Sequence, residues 1–275
     1  MNQQVDWPRL AQLRTGADDL ELRRNYIGGS DANVILSGSD ERVRDLWLEK
    51  RGEKVPVDLS QHLPVVLGSW TEPFNRQWFE ALTERRVSRA GEIVVCGMHG
   101  WRRATLDGVI AATGTIWEAK HTNAFATSGE VLERYMPQLQ HNMAVTGYQQ
   151  AALSVIFGNH KFEVFEIAAD WLYQIDLLKA EQRFWECVKT GEEPVALEPP
   201  RAPRPIGVRE VCLEGNNAWA SAAFDWLKHR EAAKVHASAS QSIKSLVEED
   251  VSRAFGHGVE AKRSKSGAIT IRELA

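Results

Sequence analysis

The chain has 275 residues, 43% of them apolar and 25% charged, which suits one large domain with a smaller appendage and excludes a disordered, collagen-like or wholly coiled-coil protein. Its 33 basic and 37 acidic residues leave a net charge of −4 with histidine neutral, so the chain is no polybasic nucleic-acid wrapper and any such contact must be a local patch. Cys96, Cys187 and Cys212 lie far apart with no CxxC spacing, which argues against a disulfide framework, a zinc site or a cysteine-ligated iron–sulfur cluster and for a reducing, cytoplasmic compartment.

The first thirty residues carry acids and arginines, and no run of 18 apolar residues occurs anywhere, so neither a signal peptide nor a membrane span is expected. Tyr26-Ile27-Gly28-Gly29-Ser30-Asp31-Ala32 reads as a glycine turn feeding a short helix to Leu36, with Ser30 as N-cap and free amides suited to a phosphate. A helix over Glu41 to Lys50 is stopped by Gly52. Trp70, Phe74, Trp78 and Leu82 recur at i, i+4, i+8 and i+12, predicting one buried helical stripe, with Glu72 about 200° away from Phe74.

Ile93 to Cys96 is a short strand. Trp101 to Ile110 and Thr115 to His121 read as two strands of a hairpin turning through Ala112-Thr113-Gly114. Arg102 and Arg103 are neighbours on a strand and face opposite ways. A helix is predicted over Tyr135 to Thr146 with Pro137 near its first turn. A second hairpin joins Ala152–Phe157 to Lys161–Ile167 around Gly158-Asn159, and Asp170 caps a helix that Gly191 ends near Thr190. His141 has no histidine partner at ligand spacing and reads as structural or DNA-proximal rather than as a ligand, and most of the ten tryptophans fall beside leucine and phenylalanine as core residues. Half of the ten prolines lie between Pro194 and Pro205, a linker signal. Beyond it, Asn216 to His236 and Gln241 to Phe255 suggest a helical hairpin, followed by a basic β-hairpin over Gly258 to Arg272.

The chemistry centres on Asp107 and Glu118-Ala119-Lys120. Alternation along a strand puts Glu118 and Lys120 on one face and Ala119 on the other, and the hairpin lets Asp107 approach. Two carboxylates beside one ammonium repel each other unless a divalent cation resolves the conflict. Mg²⁺ suits two carboxylates with a strand carbonyl such as that of Ala119, and Lys120 would then hold or deprotonate an attacking water. On spacing alone, a solvated salt-bridged hairpin is the competing reading.

Five segments in order, Ile27 to Ala32, Leu67-Gly68 through Glu72-Pro73, Thr105-Leu106-Asp107-Gly108, Glu118-Ala119-Lys120 and Tyr135 through His141, together resemble the PD-(D/E)XK nuclease superfamily, and within it the YqaJ-type viral recombinases that include lambda exonuclease. The proline of the superfamily name is replaced by Leu106. The resemblance implies an α/β fold, a central mixed sheet flanked by helices, with residues 1–193 as nuclease core, 194–205 as proline-rich linker and 206–275 as an appendage of helical hairpin plus β-hairpin. It implies Asp107, Glu118, Glu72 and the Ala119 carbonyl as ligands of one or two Mg²⁺ or Mn²⁺ ions, Lys120 orienting the nucleophilic water, and Gln140 supporting that water or the scissile phosphate. Arg23 or Arg24, Ser30 and Thr105 would hold a 5′ phosphate. The implied activity is 5′→3′ exonuclease digestion of linear duplex DNA in a bacterial host cell, by a homotrimeric ring that hands a 3′ single strand to an annealing protein. An endonuclease, and a catalytically inactive DNA-binding or assembly protein of the same fold, are the alternatives.

Overall fold

The computed structural model describes residues 20–59, 61–207, 212–264 and 267–274. The chain forms two compact units, Met1–Val208 and Arg209–Ala275. In the first, α1 (Leu20–Arg23) leads to α2 (Gly29–Ile35), α3 (Asp40–Arg51) and α4 (Leu63–Thr83). Strands β1 (Val87–Ser88), β2 (Glu92–Val95), β3 (Arg103–Leu106), β4 (Gly108–Ile110) and β5 (Thr115–Thr122) follow, then α5 (Ser128–Thr146), β6 (Gln150–Phe157), β7 (Lys161–Ala168) and α6 (Trp171–Thr190).

The central sheet has the order β1-β4-β5-β6-β7. Only the β5–β6 pair is parallel, and that step needs a crossover, which α5 supplies. Side chains alternate across β5: Ile116 joins the main core, with Ile27, Leu139 and Phe184, while Trp117 and Ala119 pack with Phe79 of α4 on the other face. The sheet is therefore sandwiched by helices. Local chemistry starts and stops them. Ser39 and Asp170 accept the Arg42 and Tyr173 N–H groups at the starts of α3 and α6, Thr127 and Glu130 form a reciprocal capping box before α5, and Gly52 and Gly191 end α3 and α6 with positive φ.

Several expectations are corrected. The helix after the glycine turn starts at Gly29 with Gly28 as N-cap, and Asp31 accepts the Gly28 N–H at 2.9 Å; a carboxylate three residues into the helix takes the place expected for Ser30. The aromatic stripe is outside: Trp70, Phe74, Trp78 and Leu82 are 57%, 53%, 43% and 60% exposed. α4 meets the sheet through Asn75 and Phe79, which are buried. Pro137 is interior to α5, which begins seven residues before Tyr135, because the capping box at Thr127 outweighs the proline signal. The strand expected over Trp101 to Ile110 is broken at Asp107: β3 pairs with β2, whereas β4 pairs with β1 and β5.

Gly108, directly after that break, is required by space. A Cβ there would fall 2.3 Å from Val87 Cγ1 and 3.2 Å from the Ser88 carbonyl oxygen. Gly108→Ala is expected to destabilise the unit by about 1–3 kcal/mol through overpacking, read as a lowered midpoint in urea unfolding.

The proline-rich segment read as a linker is held against the first unit: the Ala196 N–H donates to Asp40 at 2.9 Å, the Ile206 N–H to the Glu166 carbonyl at 2.7 Å, and Ala196, Leu197 and Ala202 pack on the main core.

Among its described residues the second unit contains one helix, α7 (Asn217–Ser245), in place of the expected helical hairpin, because its alanine-rich sequence runs on without a breaker from the Asn216 cap. β8 (Arg253–Gly256), β9 (Val259–Arg263) and β10 (Ile269–Glu273) form an antiparallel sheet in the order β10-β9-β8, so the β-hairpin gains a third strand. Its basic residues are engaged internally. Arg253, Lys262 and Arg272 surround the buried Glu260 carboxylate, and Arg263 donates to the Val247, Glu248 and Gly267 carbonyls. Lys265 lies outside the described residues. Among the described residues, no helix is long and apolar enough to cross a membrane.

Candidate active site

The break at Asp107 builds the site. With the chain leaving β3 and entering β4, the Asp107 carboxylate turns to β5 and accepts the Ala119 N–H at 2.9 Å. One residue earlier on β5, Glu118 is almost wholly buried, and one residue later Lys120 is half-buried. The expected shared face holds: Lys120 Nζ lies 2.7 Å from Glu118 Oε1. The ammonium also sits 5.0 Å from the Tyr135 ring centroid, a cation–π contact from α5.

Glu72 comes from α4. It lines a cavity of about 250 Å³ with Asp107, Ala119, Lys120, His121 and Tyr135, and a smaller neighbouring pocket with Asp107 and Arg76. The off-stripe position is thus the one that reaches the cleft. Asn75, one turn on, fixes α4 to the sheet by donating to the Ser154 carbonyl at 3.0 Å and accepting the Ser154 hydroxyl at 2.6 Å. At the rim, His121 is held between the Thr71 hydroxyl and the Gly158 carbonyl, at 3.2 and 2.9 Å.

The electrostatics record crowded negative charge. Burial first, and the Asp107 carboxylate second, push the Glu118 carboxyl up to about 8 and the Glu72 carboxyl up to about 7. Burial pulls the Lys120 ammonium down, but Glu118 and Asp107 outweigh it and hold its pKa above the ordinary lysine value. Lys120 therefore stays a charged donor. Of the two roles open to it on sequence grounds, holding a water fits this environment and deprotonating one does not.

Gln140 is placed elsewhere. Its Nε2 donates to the Ala168 carbonyl at 2.9 Å and its Oε1 accepts from the Asp170 N–H and Gln174, tying α5 to the start of α6. The amide at the site is that of Gln138, whose Nε2 lies 2.6 Å from Glu118 Oε1; Asn142 Nδ2 is 3.4 Å from Glu118 Oε2. Residues 138 and 142 share a helix face, and 140 lies about 200° around from 138. That i, i+4 spacing of amides, read against the buried glutamate, is the signal that finds them.

The residues expected to hold a 5′ phosphate are Arg23 or Arg24, Ser30 and Thr105. Arg23 reaches within 3.9 Å of Asp31, next to exposed Ser30. Arg24 packs its guanidinium over Gly52, with its Nε buried. Thr105 is exposed on β3, paired with Ile93. Asp31 also anchors buried Lys50, whose ammonium is 2.6 Å from it and donates to the Arg23 and Tyr26 carbonyls. His141 is structural, as expected: it is buried between Glu181, 2.6 Å from Nδ1, and the Arg103 carbonyl, 2.8 Å from Nε2. Arg103 stacks over Tyr26 while Arg102 turns inward to Glu181 at 2.6 Å.

The donor set is oxygen-rich and hard: Asp107, Glu118 and Glu72, with lone pairs that their mutual repulsion leaves under-compensated. Such a set fits Mg²⁺ or Mn²⁺. Among the described residues, no three histidine, cysteine or carboxylate side chains already stand at ligand geometry, because Glu118 Oε1 is engaged by Lys120 and Gln138 and an Asp107 oxygen by the Ala119 N–H.

Comparison with known proteins bears on this arrangement. Residues 19–149 match the family model of the YqaJ-like viral recombinase domain. The protein YqaJ of Bacillus subtilis (strain 168) is 33% identical over 183 residues, which are 64% of this chain and 57% of that relative's length. Among solved structures, an alkaline exonuclease (LHK-Exo) from Laribacter hongkongensis superposes with a TM-score of 0.51 at 15% identity, covering 62% of this chain and 92% of the other. That likeness establishes the fold: a central mixed sheet flanked by helices.

Proposed function

We propose, for a chain whose residues 19–149 match the family model of the YqaJ-like viral recombinase domain, that the protein is a divalent-cation-dependent deoxyribonuclease that digests one strand of linear duplex DNA from its end. The observation that carries the reading is the convergence of Asp107 and Lys120, which line one cleft, with Glu118 buried behind them: Lys120 Nζ lies 2.7 Å from Glu118 and the Ala119 N–H 2.9 Å from Asp107. The LHK-Exo neighbour is an alkaline exonuclease, which agrees with it.

Asp107, Glu118 and Glu72, with the Ala119 carbonyl, would hold Mg²⁺ or Mn²⁺. The bound cation supplies Lewis-acid polarisation of the phosphate and a water acidic enough to attack it. The chain's own residues do the rest. Lys120 donates to the attacking water and offsets the extra negative charge that gathers on the phosphate oxygens. Gln138 keeps the Glu118 carboxylate turned toward the site, and Tyr135 keeps the ammonium over the cleft. Arg76, beside Glu72 and Asp107, is placed to meet the backbone of the strand being cut. Arg23, Ser30 and Thr105 are proposed to hold a 5′ phosphate, which sets a 5′→3′ direction, and the proposal extends to a homotrimeric ring around the duplex and an annealing protein that receives the 3′ strand.

One assay tests the core of this. A linear duplex with a 5′ phosphate, the same duplex with a 5′ hydroxyl, and a closed circle are each incubated with Mg²⁺ or EDTA. The phosphorylated linear duplex is expected to be digested, the hydroxyl form about ten- to a hundredfold more slowly, reflecting loss of roughly 1.5–3 kcal/mol of charge-assisted contact, and the circle not at all. EDTA stops digestion. Cutting of the circle would establish an endonuclease, and no digestion of any substrate an assembly protein.

A further inference from the structure

We propose that Asn33 of α2 positions the Glu118 carboxylate, acting through Gln138; the proposal rests on Glu118 being a cation ligand. Asn33 and Gln138 are 105 residues apart and joined by two hydrogen bonds. The Gln138 backbone N–H donates to Asn33 Oδ1 at 2.9 Å, and Asn33 Nδ2 donates to Gln138 Oε1 at 3.1 Å. Gln138 Nε2 then donates to Glu118 Oε1 at 2.6 Å.

The direction of this relay follows from its ends. A backbone N–H can only donate, so it fixes Oδ1 of Asn33 toward Gln138, which turns Nδ2 toward Oε1 and leaves Nε2 for the glutamate. A flipped Gln138 would set its oxygen against the Glu118 oxygen. Asn142 is no substitute, since its contact to Glu118 is 3.4 Å and its Oδ1 is buried without a partner. The helices approach closely because Gly29 has no side chain: a Cβ there would fall 2.6 Å from Asn142 Oδ1 and 3.0 Å from Gln138 Cγ. α2 therefore carries Ser30, proposed for the DNA end, and Asn33, which reaches Glu118 through one amide.

The test uses the full chain and Asn33→Asp, which keeps the shape and still accepts the Gln138 N–H but sets a second oxygen against Gln138 Oε1, so that the Gln138 amide turns over. Mn²⁺ affinity, measured by calorimetry, is expected to fall about tenfold, the lower range for a residue that orients a ligand. kcat for linear duplex falls in step while KM for duplex ends is unchanged. If Asn33→Asp does not fold, Asn33→Ser, which accepts the N–H and leaves Gln138 Oε1 unheld, carries the same expectation in weaker form. Gln138→Ala combined with Asn33→Ala is expected to bind Mn²⁺ no worse than Gln138→Ala alone. Losses that multiply in the double variant, or an Asn33→Asp chain with wild-type Mn²⁺ affinity, would overturn the relay alone. Absence of Mn²⁺ binding by the wild-type chain would overturn the reading of Glu118 beneath it.

Discussion

Replacing Lys120 with alanine is expected to slow digestion of a linear duplex by about a thousandfold, within the span ascribed to a positioned proton donor or acceptor, while duplex affinity stays within about twofold. The ammonium lies 2.7 Å from Glu118 and 5.0 Å from the Tyr135 ring, facing the cavity. Although burial opposes its charge, the two carboxylates keep it protonated, so its removal deletes a cation at the cleft rather than a base. Lys120→Met, which keeps the stem and deletes the charge, should match alanine in rate. A gel-based digestion series beside a binding titration in EDTA measures both quantities, and an alanine variant retaining more than about a tenth of the rate would remove Lys120 from its role.

Asp107→Asn is expected to act with opposite signs on activity and stability. Asparagine still accepts the Ala119 N–H through its oxygen, so the turn between β3 and β4 keeps its hydrogen bond. The charge that repels Glu118 and Glu72 is gone. In the wild-type fold both glutamates titrate above their ordinary value of 4.5, near 8 and 7. The folded chain therefore holds protons that the unfolded chain releases, and their stabilising effect is complete below about pH 4 and lost as pH climbs through 7 to 8. In EDTA at about pH 8, the asparagine variant should melt about 3–6 °C above wild type, a gain of about 1–2 kcal/mol. Near pH 5 the difference should vanish. Digestion in Mg²⁺ should fall by about three orders of magnitude, because a charged ligand is lost. Differential scanning calorimetry at the two pH values decides it: an asparagine variant that melts below wild type at pH 8 would mean that the carboxylates are not in conflict.

How far the sequence carries can be read from these residues. Glu118 and Lys120 are legible because a strand has a period of two, and Glu72 because it departs from the period of its helix. The same periodicity misassigns Trp70, Phe74 and Trp78, since amphipathic spacing says which side chains share a face and not which face is covered. Here α4 meets the sheet through Asn75 and Phe79, a pair too short and too polar to register as a stripe. The interruption at Asp107 is invisible in Thr105-Leu106-Asp107-Gly108, all of which tolerate extended backbone; what breaks the strand is a tertiary bond to the Ala119 N–H. Choosing Gln138 over Gln140 needs the rotation of α5 about its own axis, set by Gly29 and Asn33 more than a hundred residues earlier. The single helix of Asn217–Ser245 reads as two from sequence because serines and alanines near residue 240 carry little hydrophobic signal of their own.

The buried group of Arg102, His141 and Glu181 has a consequence for how such a chain diverges. Among the described residues, Glu181 is the carboxylate that faces both Arg102 and His141, and the Arg102 guanidinium lies 2.6 Å away as a charge contact rather than an aligned hydrogen bond. Loss of the glutamate alone would strand an arginine in the interior, at about 3–5 kcal/mol, whereas an uncharged trio of matched volume can be as stable as the original. Drift at these three sites should thus be concerted: descendants keep all of them or exchange them as a block, and a library randomising positions 102, 141 and 181 together should return folded solutions that stepwise replacement never visits.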